Sequence, residues 1–271
     1  MPYATHAASI LSVKIKLRNQ KEENSMKKRK WILQEHKPDA DWAVLENVVH
    51  QDEIMRLSTV EYARSAEAFG ADYIPVGDAP FIAGWLKKNY EKDMEPIEVP
   101  ECLRKREFLK RRYYFAEKRD LPFYSRQKYF IKNISVMKGF SSVRYNGAVP
   151  GWDELPDGRY LVSEWLDILS EFRIFVYHDQ VIAIQPYLGM PLMFPDGGKI
   201  RKMVDEYKKD SGRPRAYTMD IGVSRDKDGV VHTVLIKVHP FVSYRLYGFC
   251  LPDIPDMLEE GIRYYTRQKE D

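Results

Sequence analysis

The chain has little cysteine and no long apolar run. Its 271 residues include two cysteines, Cys102 and Cys250, which lie far apart in the sequence. Two thiols can form neither a disulfide framework nor a four-cysteine zinc site, so a reducing cytoplasm is the default expectation. No stretch approaches the roughly 18 consecutive apolar residues of a membrane span, and the N-terminus lacks the apolar core of a secretory signal. We expect a soluble protein with no membrane partner.

Charge of one sign is also lacking. The 43 basic and 40 acidic residues leave a formal net charge of +3. This balance argues against nucleic acid or a membrane surface as the main partner. The chain contains no GxxxxGK[ST], GxGxxG, HExxH or GxSxG signature, so phosphate-loop, Rossmann, zinc-protease and α/β-hydrolase classes have no support.

The first part of the chain has two textures. Residues 1–30 run into RNQKEENSMKKRK, which is charged and poor in large apolar side chains, and they are predicted to be a flexible N-terminal segment. From residue 31 to about 110, WILQEH and ADYIPVG read as strands and PFIAGWLKKNY reads as a helix. The stretch 51–69 places apolar residues at helical spacings. This alternation predicts a small α/β lobe.

Residues 111–271 have the rhythm of antiparallel strands. Two hairpins are predicted, one turning at His178 and Asp179 and the other at the DKDG of residues 226–229. Apolar residues recur every three or four positions over 200–207 and 254–262, which predicts two helices. We therefore expect an α+β protein in which an antiparallel sheet is backed by helices.

Charged side chains within apolar strands are the candidate functional residues. A single one is usually the solvated face of its strand, by about two to one. Several on one sheet favour a shared cleft, where cations would neutralise phosphate oxygens and carboxylates would hold the metal of a magnesium triphosphate. The set comprises Lys132, Glu164, Glu171, Arg173, Asp220 and Lys237.

The order of short motifs resembles the compact ATP-grasp proteins of bacteria and their phages. The motifs are FIKN, the KGFS of residues 138–141, VSEWLDILSEFRIFV, YTMDIGV, and IKVHPF with LYGF, and they extend over roughly residues 30–250. The resemblance implies an ATP-grasp fold, in which two α+β lobes clamp ATP. It also implies ATP and Mg²⁺ as cofactors and an amide or peptide-like bond, made from an unidentified carboxylate and amine through an acyl-phosphate.

The resemblance assigns nucleotide contacts to three positions. Lys132 matches the lysine that touches the α- and β-phosphates, and Glu164 matches the hinge region that meets adenine and ribose. Lys138 lies in the segment that covers the phosphates and would be a further contact.

It assigns the reacting end of the site to three more. Arg173 matches the basic residue near the γ-phosphate and acyl-phosphate, and Glu171 is its candidate ion-pair partner. Asp220 matches the first magnesium ligand.

Lys237 departs from the family pattern. Strand alternation places Leu235, Lys237 and His239 on one face, where the family usually shows Glu, a spacer, and then Asn, Asp or His. A cation there repels magnesium, and Asp220 with His239 makes a poor site for two hard ions.

Several readings of this departure stay open. The chain is an ATP-dependent ligase weakened or silenced at Lys237, or a non-catalytic nucleotide- or protein-binding relative. The ammonium either pairs with Asp220 and seals an empty cleft or replaces the metal charge against phosphate. Arg245 also stands where a small residue is expected. A homodimer is the default oligomeric expectation.

Overall fold

The structure is a computed structural model, and it describes most of the chain in ten stretches. These are residues 29–35, 40–49, 53–64, 70–94, 98–121, 125–134, 143–147, 155–190, 192–242 and 245–267. Nearly all of the predicted N-terminal segment 1–30, and Lys138 with its KGFS motif, lie outside these residues. No helix of the described part is long and apolar enough to cross a membrane.

The first lobe is a parallel three-stranded sheet with helices. The strand order is β2-β1-β3, with β1 at the centre. Its elements are β1 (Lys30–Gln34), α1 (Ala40–Val49), β2 (Glu53–Leu57), α2 (Thr59–Arg64), β3 (Ile74–Val76) and α3 (Ala79–Tyr90). The predicted α/β character of this lobe is therefore confirmed, whereas the domain boundaries at residues 30 and 110 remain predictions.

One element of this lobe was predicted wrongly. Apolar spacing predicted a helix over 51–69, but Glu53–Leu57 is a strand that pairs in parallel with β1, and only Thr59–Arg64 is helical. The short apolar run EIM fits either period, and pairing with the buried strand beside it decides the outcome.

Helix α3 forms as its sequence predicts. Asp78 caps the N-terminus by accepting a hydrogen bond from the Phe81 amide at 3.0 Å, and Pro80 occupies the first turn. The buried face consists of Phe81, Ile82, Trp85 and Leu86. This face packs against β1 and β2 and holds the first lobe together.

The middle of the chain forms an antiparallel sheet of order β4-β7-β5-β6. Two 3-10 turns, Glu101–Leu103 and Lys118–Asp120, and the one-turn helix α4 (Arg106–Leu109) flank its first strand. The strands are β4 (Tyr113–Glu117), β5 (Ser125–Asn133), β6 (Val143–Gly147) and β7 (Arg159–Glu164).

The last region is a second antiparallel sheet of order β11-β10-β8-β9. Its elements are β8 (Asp167–Tyr177), β9 (Gln180–Gly189), α5 (Gly197–Tyr207), β10 (Ala216–Arg225), β11 (Val231–Pro240) and α6 (Ile254–Thr266). Helix α5 covers one face of the sheet, and α6 joins the sheet to β1 and β3 of the first lobe. Both predicted hairpins, both predicted helices and the α+β class are confirmed.

A β-bulge in the last hairpin changes the predicted faces of β11. Asp220 pairs with Lys237, but Ile221 pairs with Leu235, so Ile236 is an extra residue on β11. Leu235 consequently joins Val238 in the core on the opposite face from Lys237. The alternation that placed Leu235 with Lys237 and His239 was wrong, because a bulge interrupts the period of two.

Candidate active site

A buried ion pair is at the centre of the candidate site. Strand β10 lies between β8 and β11, and the register places Asp220 opposite Arg173 on one side and Lys237 on the other. Arg173 Nε donates to Asp220 Oδ1 at 2.9 Å and Nη2 donates to Oδ2 at 3.1 Å. Asp220 is 1% exposed and Arg173 is 8% exposed. This bidentate geometry is the strongest form of a carboxylate–guanidinium pair.

Lys237 adds a second cation to the same carboxylate. Its Nζ lies 3.4 Å from Asp220 Oδ2, and its side chain is 36% exposed, so it connects the buried pair to solvent. Burial alone would raise the pKa of Asp220, but the hydrogen bonds and charge of Arg173, with smaller help from Lys237, hold that pKa below its usual value. Asp220 therefore stays ionised.

Lys132 is engaged by a carboxylate that sequence analysis missed. Glu98 is 8% exposed and forms an ion pair with Lys132 Nζ. The Glu98 carbonyl accepts a hydrogen bond from the Val238 amide at 2.7 Å, which fixes the segment against β11. Glu98 lies outside any predicted strand, so its pairing with Lys132 has no signal in the sequence.

His239 lies among the cations of this cluster. Burial lowers the pKa of its imidazole to about 3, and Lys237, Arg173 and Lys132 add to the shift while Asp220 opposes it. The ring is therefore neutral at physiological pH. These influences also show that Lys132, although it lies on the other sheet, is close to the Arg173–Asp220–Lys237 group.

Two tyrosines cover the Arg173 guanidinium. The Tyr187 and Tyr247 rings stack with centroids 4.8 Å apart, and the guanidinium lies 5.0 Å from the centroid of Tyr247. Tyr247 adopts a left-handed backbone conformation (φ 53°), which is disfavoured for a non-glycine residue, and the Arg245 carbonyl accepts from Arg173 Nη1 at 2.9 Å. The loop after β11 thus immobilises Arg173 from above.

Glu171 does not pair with Arg173 as the sequence suggested. Its carboxylate accepts a hydrogen bond from the Tyr187 hydroxyl, and Asp220 is the carboxylate that Arg173 contacts in the described part of the chain. The expectation failed because proximity in sequence along β8 says nothing about the strand next to it. Glu171 remains on the same sheet face as Arg173, two residues away.

Glu164 lies apart from the cluster. The β5–β7 register pairs Lys132 with Leu161, so alternation directs Glu164 to the other face of that sheet. Its carboxylate accepts a hydrogen bond from the Arg112 amide at 2.8 Å. The hinge role of Glu164 therefore stays a prediction.

Arg111 is a buried residue that sequence analysis also missed. It donates to Ser163 Oγ on β7 at 2.7 Å and to the Leu235 carbonyl on β11 at 2.8 Å. Burial lowers its pKa to about 10, so it remains charged at neutral pH. Arg111 ties the two antiparallel sheets together at the bulge that orients Lys237. A lone arginine in the charged run LRKREFLKRR gives no sign of this role.

The comparison with protein families decides the family. A family described as an ATP-grasp domain, the second family of its clade, matches residues 108–250, which is more than half of the chain. The chain belongs to the ATP-grasp superfamily. The matched segment contains Lys132, Arg173, Asp220, Lys237 and His239. The family resemblance and the ATP-grasp fold inferred from the sequence are therefore confirmed.

Solved structures with similar folds include other ATP-grasp proteins. The ligase PsnB, complexed with a minimal precursor, is 12% identical, with coverage of 87% of this chain and 99% of its own and a TM-score of 0.49. A RimK domain protein from Sphaerobacter thermophilus is 11% identical, with coverage of 88% and 98% and a TM-score of 0.48. D-alanine–D-alanine ligase from Bacillus anthracis is 12% identical, with coverage of 87% and 97% and a TM-score of 0.43. Curated protein sequences gave no significant match.

The ATP-grasp family uses ATP and Mg²⁺, but the residues at Asp220 do not fit a magnesium ion. Both oxygens of Asp220 accept hydrogen bonds from Arg173, and one also contacts Lys237. His239 is a nitrogen donor, which magnesium disfavours. Within the described ranges, no three or more His, Cys, Asp or Glu side chains are grouped as a metal site would require.

We expect His239→Gln to reduce the acid sensitivity of this ATP-grasp protein. The folded pKa of about 3 lies below the ordinary value of about 6.5 for an unfolded chain. Between these values the unfolded chain binds a proton that the folded chain refuses, so stability present at pH 7 is lost as the pH falls. The loss approaches about 1.4 kcal/mol per pH unit.

Urea unfolding of parent and variant at several pH values between 7 and 4 measures this contribution. The variant should show a shallower decline of unfolding free energy with falling pH, while other carboxylates act equally in both proteins. Parallel curves would show that His239 is not held neutral by the fold.

Proposed function

We propose that this ATP-grasp protein binds the polyphosphate of ATP through side-chain cations without a magnesium bridge at Asp220. The observation that carries the proposal is the placement of Arg173 and Lys237 on the two sides of Asp220. Lysine and arginine neutralise phosphate oxygens as point charge and as planar fork, respectively. Lys237 would take the place of the metal charge.

The charge of the cluster supports an anionic ligand. Lys132, Arg173 and Lys237 are countered by Glu98 and Asp220, which leaves one net positive charge. Lys237 is partly exposed, and Lys132 is 31% exposed, so both ammonium groups can reach a ligand in the cleft. The ion pair with Glu98 would have to open for Lys132 to contact phosphate.

Calorimetric titration with ATP, once with excess magnesium and once with EDTA, tests the proposal. We expect dissociation constants that agree within about threefold, because the charge that magnesium would supply is already present on Lys237. Lys132→Met should weaken binding in both buffers, whereas Lys227→Met, a change in the exposed hairpin turn, should not. Absence of binding at millimolar ATP, or a gain of more than tenfold with magnesium, would refute it.

A second candidate is an ATP-dependent carboxylate–amine ligase that acts through an acyl-phosphate. Membership of the ATP-grasp superfamily and the buried, fixed guanidinium of Arg173 favour it. A substrate carboxylate would attack the γ-phosphorus as the bond to ADP breaks, and an amine would then displace phosphate from the acyl carbon. Arg173 would stabilise the charge that the transferred phosphoryl group carries.

ADP release in the presence of pooled amino acids and short peptides tests this ligase candidate. A ligase should release ADP only when a carboxylate and an amine are both present, and mass spectrometry should find the condensed product. Lys132→Met should lower the rate, with Lys227→Met as the matched control. If ATP binds and no pool supports ADP release, the non-catalytic alternative is favoured.

A further inference from the structure

A groove with free cations and exposed apolar side chains lies away from the Arg173–Asp220 site. Two adjoining cavities of about 500 and 410 Å³ share Lys110 and His232 as lining residues. They run between the end of α4 and the β10–β11 hairpin. Val223, which lines the groove, belongs to the core face of β10, opposite the face that holds Asp220. The groove is therefore separate from the proposed nucleotide cleft.

The cations of the groove are more available than its carboxylates. Arg106 and Lys110 are exposed and make no ion pair with any described residue. The groove's carboxylates are locally engaged: Asp196 Oδ1 caps α5 by accepting from the Gly198 amide at 2.7 Å, and Asp226 contacts His232 at 2.8 Å. An incoming carboxylate would meet Arg106 and Lys110 first.

An apolar rim accompanies these cations. Phe194 is 68% exposed and lines the groove, Leu192 beside it is 84% exposed, and Val231 across from it is 46% exposed. The loop that carries Phe194 is nevertheless anchored, since Ser170 Oγ donates to the Met193 carbonyl at 2.6 Å and the Asp196 amide donates to Thr233 Oγ1 at 2.7 Å. Anchored apolar side chains that remain in water mark an interaction surface.

We propose that this groove binds a peptide segment in which acidic residues flank a large apolar side chain. The carboxylates would pair with Arg106 and Lys110, and the apolar side chain would cover Phe194 and Val231. The apolar rim distinguishes this ligand from a nucleic-acid backbone, which would use the cations and leave the rim exposed. Leu166, in the connection between β7 and β8, also lines the groove, so the peptide would contact the link between the two antiparallel sheets.

Selection from a phage-displayed library of random dodecapeptides on the immobilised full chain tests the proposal. Enriched peptides should carry Asp or Glu next to Leu, Ile or Phe. A fluorescein-labelled peptide synthesised from the enriched set should lose at least about tenfold in affinity with Lys110→Glu and with Phe194→Ser. Arg201→Glu, an exposed change on α5 outside the groove, should bind as the parent does.

Three outcomes would overturn the proposal. They are enrichment of peptides without acidic residues, equal binding by the parent and both groove variants, and displacement of the peptide by poly(U) RNA together with tight RNA binding that Lys110→Glu abolishes. Thermal melting of each variant confirms folding, since both changed side chains are exposed. ATP titration of Lys110→Glu should match the parent, so this proposal and the nucleotide proposal fail separately.

Discussion

Replacing Lys237 by glutamate should make ATP binding depend on magnesium. The change removes the ammonium group 3.4 Å from Asp220 and places a second carboxylate beside it, a difference of two charge units. Without metal, two carboxylates would repel the polyphosphate, and affinity should fall by at least about tenfold. With magnesium, the paired carboxylates would offer the oxygen ligands that a hard cation prefers, and affinity should recover.

Calorimetry in EDTA and in magnesium measures both effects on the same protein. Lys237→Met separates them, because it removes the cation without adding a carboxylate and should weaken binding in both buffers. Lys227→Glu makes the same charge change in the exposed turn of that hairpin and should do nothing. If Lys237→Glu binds ATP in EDTA as tightly as the parent, then Lys237 does not meet the polyphosphate.

Breaking the Arg173–Asp220 pair should be the most destabilising single change in the site. Asp220→Asn keeps the shape of the side chain but leaves the Arg173 guanidinium buried without a counter-charge. Removal of one partner from a buried pair lowers the free energy of unfolding by about 3–5 kcal/mol. Urea unfolding at pH 7 measures the loss.

A double-mutant cycle identifies the cause of that loss. Asp220→Asn combined with Arg173→Met removes both charges and should be less destabilising than the sum of the two single changes, because no buried charge is left uncompensated. Asp72→Asn is the matched control, since Asp72 pairs with Lys30 at 2.8 Å on the exposed edge of the first lobe, and it should leave stability nearly unchanged. Strict additivity at Asp220 and Arg173 would contradict a coupled pair.

The regular elements were predictable where local signals agreed. The N-cap Asp78, Pro80 and the apolar face of α3 point to the same helix, and the turn residues of the β8–β9 and β10–β11 hairpins specify their connections. The strand β2 was mistaken for helix because its few apolar residues fit both periods. Its parallel partner β1 decides its state, and that pairing is remote in sequence.

The site was predictable as a set of residues but less so as a set of contacts. Arg173, Asp220 and Lys237 were recognised because charges inside apolar strands need a reason, and neighbouring strands bring them together. The choice of Asp220 over Glu171 as the partner of Arg173 depends on register between strands 47 residues apart. The faces of β11 depend on a bulge that no residue type announces.

By itself the sequence determined the α+β class, the order of the strands along the chain, and the cation at a position where the ATP-grasp superfamily usually has a carboxylate. Those features depend on local period, turn chemistry and side-chain type. The tertiary structure alone decided that Glu98 engages Lys132, that Arg111 joins the two antiparallel sheets, and that Asp220 is already neutralised from both sides. Each of these contacts joins separate elements across the fold, where distance and burial, rather than sequence spacing, decide which charges meet.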